Sequence, residues 1–214
     1  MNMQKKYAFI WDLDGTLLDS YDEIVSSILL TLDRFGIKKE APRVLSYVIR
    51  YSVRKYFRQI ELETGIPYEE LDPVFQDYHH SKYKEVKAAP HSMEILKYLT
   101  GQGIPSFVFT HREKSTIPIL SRLGMLPYFR EVLKTEDGYA RKPDPQAIHC
   151  LIRKYDLDPA YTYYVGDRVI DIQCGKNAGI GTIMYIPPSG PGEPCGLEDY
   201  VISDFLEIRD LIQG

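Results

Sequence analysis

Short apolar runs alternate with longer segments of helical period through most of this chain, and that alternation restricts the fold more than any other feature. The runs are Tyr7–Trp11, Ser106–Phe109, Tyr163–Val165, Thr182–Ile186 and, more weakly, Tyr200–Ile202. Each is short and apolar on both faces, the pattern of strands covered on two sides. Helices are expected between them at His91–Thr100, Lys114–Leu123, Pro145–Tyr155 and Ile170–Ala178, with a last one near Asp204–Ile212. Strand–helix alternation of this kind predicts a parallel sheet flanked by helices. Reactive groups of such sheets gather beyond the carboxyl ends of the strands.

Residues 19–87 interrupt the pattern, because no convincing strand falls among them. The stretch "DSYDEIVSSILLTLDRFG" opens with Ser20 and Glu23 at capping-box spacing. Ile24, Val25, Ile28, Leu29 and Leu32 then form one apolar face, and Gly36 supplies a stop. Further helices are expected at Arg43–Arg50, Ser52–Glu63 and Tyr68–Lys84. The expectation is an α/β core of residues 1–18 and 88–214, with a helical insertion at 19–87 placed to act as a lid.

A chain of 214 residues can bury a core in one domain, or in a domain with an insertion. Its 26 basic and 30 acidic residues give a formal charge of −4, so nothing recommends nucleic acid or an anionic membrane as a partner. "MNMQKKYAFI" enters the first strand without a long apolar signal region, and no run approaches membrane-spanning length. Cys150, Cys174 and Cys195 contain no C-x-x-C pair and read as reduced packing residues, consistent with a cytoplasmic protein. "PPSGPGEPCG" (187–196) is a turn-rich loop without readable chemistry.

Four short motifs carry the chemistry. Asp12 and Asp14 end the first apolar run two positions apart, so on extended chain both face one side. A fold gains nothing from two carboxylates there; a hard cation such as Mg²⁺ would relieve their repulsion. Gly15 permits a sharp turn before Thr16. Taken alone, the pair also fits a helix cap or an Asp-Gly turn. Thr110 ends the second run, where a hydroxyl can donate to an anionic oxygen or cap the next helix. His111 and Arg112 place further positive charge at that edge, or lie solvated at the surface. In "RKPDP", Asp144 as cap and Pro145 as first helical residue fix Lys142 just ahead of a helix N-terminus, a place suited to meeting an anion. In "YYVGDRVIDI", Asp167 follows a strand and a glycine, and Asp171 shares its face if a helix has begun. Carboxylates for Mg²⁺, a hydroxyl and a lysine together make up a phosphoryl-transfer site.

With these four motifs, Asp12-x-Asp14-Gly15-Thr16, Thr110, Lys142 with its "PDP", and Gly166-Asp167-x-x-x-Asp171, the chain resembles the haloacid dehalogenase superfamily of phosphohydrolases. The resemblance spans residues 7 to 186. It implies a Rossmann-like parallel sheet with an α-helical cap of the phosphoglycolate phosphatase and β-phosphoglucomutase type. It also implies roles: Asp12 as nucleophile forming an aspartyl-phosphate, and Asp14 as acid and then base. Mg²⁺ would be held by the Asp12 carboxylate, the Asp14 carbonyl and Asp167, with Asp171 supporting the metal or its waters. Thr110 and Lys142 would hold the transferring phosphoryl group.

The implied activity is Mg²⁺-dependent hydrolysis of a small phosphorylated metabolite. A phosphomutase shares every motif; an aspartate-phosphorylated switch that does not turn over is a further alternative. A dehalogenase needs neither Asp14 nor the metal set. Substrate contacts are expected from Thr16, His111 and Arg112, and in the cap from Arg50 and Arg54, two basic residues at four-residue helical spacing, with Lys55 beside them. Two departures from the family pattern are His91, where relatives often carry glycine, and His111, where they often carry asparagine.

Overall fold

The structure, a computed structural model, describes residues 6–188 and 192–213. The opening segment at 1–5 and residues 189–191 of the turn-rich loop lie outside them. The chain divides into two compact units, one running to Leu18 and resuming at Ala88, the other being Asp19–Lys87.

The first unit is built on a six-stranded parallel sheet. Its strands are β1 (Ala8–Trp11), β4 (Ser106–Thr110), β5 (Phe129–Lys134), β6 (Thr162–Gly166), β7 (Gly181–Tyr185) and β8 (Tyr200–Ile202), in the spatial order β5-β4-β1-β6-β7-β8. Two further short strands, β2 (Leu18–Asp19) and β3 (Lys87–Ala88), pair with each other in a separate ladder. Every residue of β1 and of β4 is buried, the apolar ones as their apolarity requires and with them the hydroxyl residues Ser106 and Thr110 at the two ends of β4. The helices of this unit are α5 (Ser92–Gly101), α6 (Thr116–Arg122), α7 (Gln146–Tyr155), α8 (Val169–Asn177) and α9 (Ile208–Gln213). Ile10, Phe107, Phe109, Leu133, Ile148, Leu151 and Tyr164 belong to one continuous core cluster.

β5 has no counterpart in the sequence reading. Its residues, "FREVLK", carry three charges, and Leu133 alone among them is buried. It lies at the sheet edge, pairing only with β4, so it lacks the two-sided apolar signature of the inner strands. Strands are added outward from β1 in both directions, β4 on one side and β6 on the other. Their carboxyl ends therefore open onto one crevice, the usual location of ligands in such sheets.

The second unit contains α1 (Tyr21–Arg34), α2 (Ala41–Arg50), α3 (Val53–Thr64) and α4 (Tyr68–Ser81), closed around Ile28, Leu32, Val44, Val48, Phe57, Ile60 and Leu71. The capping box expected at Ser20 and Glu23 does not form: Ser20 makes no side-chain cap bond. Glu23 instead turns inward, accepting from Ser27 Oγ at 2.9 Å and meeting His79 Nδ1 at 2.9 Å. Arg50 and Arg54 do not share a helix either. α2 ends at Arg50, and Ser52 caps α3 through a bond from Lys55 N–H at 3.1 Å.

Candidate active site

β1 delivers Asp12 to its carboxyl end, where the Asp12 N–H donates to the carbonyl of Val165 at 2.9 Å and continues the ladder to β6. The chain then turns through Gly15, whose φ of 77° is the left-handed conformation that favours glycine. Thr110 is the last residue of β4. Gly166 ends β6 and is followed by Asp167, with α8 starting two residues later. Lys142 arrives from the segment before α7, which begins at Gln146 with Asp144 Oδ1 accepting its N–H at 2.9 Å.

Lys142 is the pivot. Its ammonium, wholly buried, donates to Asp12 Oδ1 at 2.7 Å and to Asp171 Oδ1 at 2.8 Å. It also lies over the rings of Phe109 and Tyr164, 5.4 and 5.2 Å from their centroids. Tyr164 is held in turn by its hydroxyl, which donates to the Phe109 carbonyl at 2.8 Å. Burial works against the charge on Lys142, but Asp12 and Asp171 together raise its pKa above the ordinary lysine value. Burial pushes the Asp12 carboxyl up to about 6, against the pull of Lys142.

The other acids are held as firmly. Asp171 sits in the first turn of α8 and accepts from the Arg168 N–H at 3.1 Å through Oδ2, while its Oδ1 faces Lys142. Thr16 donates to Asp167 Oδ1 at 3.0 Å, so this hydroxyl orients an acid rather than standing free for a ligand. Asp12, Asp167 and Asp171 are all buried, with one carboxylate oxygen from each lying within 4.8 Å of the others. Asp12 Oδ2 is buried without a hydrogen-bond partner among the described residues. Lys142 offsets only part of the charge of three buried carboxylates, Asp12 Oδ2 still lacks a hydrogen bond, and an all-oxygen set suits a hard divalent ion. The residues fit such a metal.

Thr110 accepts from the Arg112 N–H at 3.1 Å, which leaves its own O–H to donate. His111 is not the cation expected of it. Its Nε2 accepts the main-chain N–H of Lys142 at 3.0 Å, and burial, then Lys142, depress its pKa far below the usual value. Arg112 turns to Asp14, with Nε 2.9 and 3.1 Å from the two carboxylate oxygens. Arg50 and Arg54 are exposed in the helical unit, over the rings of Tyr51 and Tyr68. One member escaped the sequence reading. Arg168, directly after Asp167, brings Nη2 to 3.8 Å from Asp12 Oδ2. Its position next to a strand-end acid was the available signal.

A parallel sheet whose central strand ends in a buried aspartate, held by a lysine and flanked by an acid cluster that could hold a metal ion, is the frame of a hydrolase site. Residues 9–185 match the family model of haloacid dehalogenase-like hydrolases, and the chain belongs to that family. It is 29% identical over 207 residues to a phosphoglycolate phosphatase of Agrobacterium fabrum, covering 93% of this chain and 89% of the relative. It is also 29% identical over 187 residues to the pyrophosphatase PpaX of Bacillus velezensis, covering 85% and 84%. A haloacid dehalogenase-like hydrolase from Streptococcus pneumoniae shares the fold, with a TM-score of 0.81 and 20% identity over 99% of this chain and all of that one.

Proposed function

We propose that this enzyme is a Mg²⁺-dependent phosphatase that hydrolyses a small phosphomonoester through an aspartyl-phosphate on Asp12. The observation that carries this reading is the Lys142 ammonium shared between Asp12 and Asp171 beside an acid cluster that fits a divalent ion. Mg²⁺ held by Asp12 and Asp167, with Asp171 in support, would supply charge neutralisation for the phosphoryl oxygens.

The protein's own groups account for the rest. A carboxylate oxygen of Asp12 attacks phosphorus, the bond from phosphorus to the leaving oxygen breaks, and Asp14 supplies that oxygen with a proton. Water then attacks the aspartyl-phosphate, Asp14 takes its proton, and the bond from phosphorus to Asp12 breaks to release inorganic phosphate. Lys142 and the Thr110 hydroxyl hold phosphoryl oxygens, and Lys142 keeps Asp12 ionised. The hydrolytic names of the relatives favour phosphate release over transfer to a second sugar. They also suggest esters or anhydrides bearing another anionic group.

The test is phosphate release from a panel of 2-phosphoglycolate, pyrophosphate, sugar phosphates, nucleoside monophosphates and an aryl phosphate. Each is run with Mg²⁺ or chelator, on wild type and Asp12→Asn. Release that needs Mg²⁺ and vanishes in the variant is expected. Release that persists in Asp12→Asn would remove Asp12 from the chemistry.

A further inference from the structure

The loop after β4 carries a second ion pair that the phosphoryl-binding groups do not explain. Arg112 places Nε 2.9 Å from Asp14 Oδ1 and 3.1 Å from Oδ2, and Nη2 2.8 Å from Oδ1. Its Nη1 donates to Ser115 Oγ at 3.0 Å. The main chain of Arg112 is pinned as well: its N–H meets Thr110 Oγ1 at 3.1 Å and its carbonyl accepts from Thr116 Oγ1 at 2.9 Å. The arginine side chain is fully buried, whereas that of Asp14 keeps 20% of its surface exposed. The carboxylate is thus held by a buried guanidinium while part of its own surface stays open.

We propose that Arg112 is the positioning residue for Asp14, fixing the plane and direction of the carboxylate that exchanges protons with the leaving group and with water. A guanidinium engaging both oxygens of one carboxylate fixes its plane, which a point charge does not. The adjacency is built into the sheet. β1 and β4 are neighbours in register, Trp11 beside Val108, so the turn holding Asp14 and the loop holding Arg112 leave the sheet side by side. Thr110 at the end of β4 and Arg112 two residues on therefore divide the work, the first assigned to the phosphoryl group in the proposed mechanism and the second to the proton donor.

The proposal rests on the reading of Asp14 as the acid, and the test separates the two. A proton on the leaving oxygen matters greatly for an alkyl phosphate and little for p-nitrophenyl phosphate, whose phenolate departs unaided. First-turnover release of the leaving group is measured by rapid quench for p-nitrophenyl phosphate and for the best alkyl phosphate of the panel. Wild type, Arg112→Met, Arg112→Lys and Asp14→Asn are compared, all loaded with Mg²⁺. Arg112→Met is expected to slow the alkyl ester roughly 10- to 100-fold, a part of what general acid catalysis contributes, with little change on the aryl ester. Arg112→Lys keeps the charge without the fork and should show the same selectivity at smaller size. If Arg112→Met does not fold, the lysine variant decides the question.

Asp14→Asn is the control. An equal loss on both esters in that variant removes the acid role itself. An alkyl-selective loss in Asp14→Asn, with equal losses on both esters in the Arg112 variants, keeps the acid and overturns Arg112 as its positioning residue.

Discussion

The main-chain N–H of Lys142 donates to Nε2 of His111 at 3.0 Å, tying the loop after β4 to the segment that delivers the buried lysine. A ring nitrogen that accepts must be unprotonated, and burial and the Lys142 charge keep it so. The unfolded chain has no such constraint and takes up a proton below about pH 6.5. The unfolded state then binds more protons than the native one, so stability from this residue is complete above about pH 6.5 and is lost as the pH falls, at about 1.4 kcal/mol per unit. His111→Asn keeps an acceptor without titrating. Urea denaturation at pH 6.5 and pH 5 should show wild type losing about 2 kcal/mol more than the variant over that interval. Parallel losses would mean that His111 is protonated in the native protein.

Lys142 makes a second test possible because it balances two carboxylates. Lys142→Met leaves Asp12 and Asp171 buried without their shared cation, an arrangement that typically costs about 3–5 kcal/mol. On the proposed mechanism it also removes a phosphoryl-binding group, with an expected fall in kcat of about 100- to 1000-fold or more. Adding Asp171→Asn deletes one of the stranded charges. The double variant should therefore regain about 1–3 kcal/mol over Lys142→Met in chelator, measured by urea denaturation, while activity stays low. Additive losses would show that the two residues do not interact.

The inner strands and their terminal acids were legible because burial on both faces writes itself as unbroken apolarity, and because carboxylates in such places have few structural uses. Asp12, Thr110, Lys142, Asp167 and Asp171 stood out only as a set, through their order along the chain and the resemblance that they carry together, since each alone also fits a cap, a turn or the surface. Pairings between loops could not. That Thr16 would serve Asp167, Arg112 serve Asp14 and His111 serve the Lys142 backbone depends on which loops lie side by side and on side-chain direction. No local pattern records those. β5 was hidden because an edge strand with one buried side chain carries almost no periodic signal. At Ser20 and Glu23 the spacing of a capping box was present, but a buried partner, His79, drew the glutamate elsewhere.

Gly166 is required for a reason of space. A Cβ built there would stand 2.3 Å from Asp171 Cβ and 2.6 Å from its Cγ. Asp171 is held by Lys142 on one oxygen and by the Arg168 N–H on the other, so it can yield only by breaking one of them. Overpacking alone costs about 1–3 kcal/mol. Gly166→Ala is therefore expected to lose at least that much stability and, in the folded fraction, most of its activity. A variant with normal melting and normal kcat would show that β6 and α8 can separate without cost.

His91 tests a departure from the family pattern. It precedes α5 with φ of 57°, a left-handed conformation that costs an L-residue about 1 kcal/mol or more and a glycine almost nothing. Histidine holds a partner there, its Nδ1 lying 2.7 Å from Asp204 Oδ2 across the start of the last helical segment. That pair is exposed and contributes at most about 1 kcal/mol. His91→Ala loses the pair and keeps the strain, whereas His91→Gly loses the pair and releases it. The glycine variant should be the more stable of the two by about 1 kcal/mol in urea denaturation, the reverse of the order found inside helices. If alanine is equal or better, the backbone at His91 has relaxed out of the left-handed region, and the histidine side chain is what held it there.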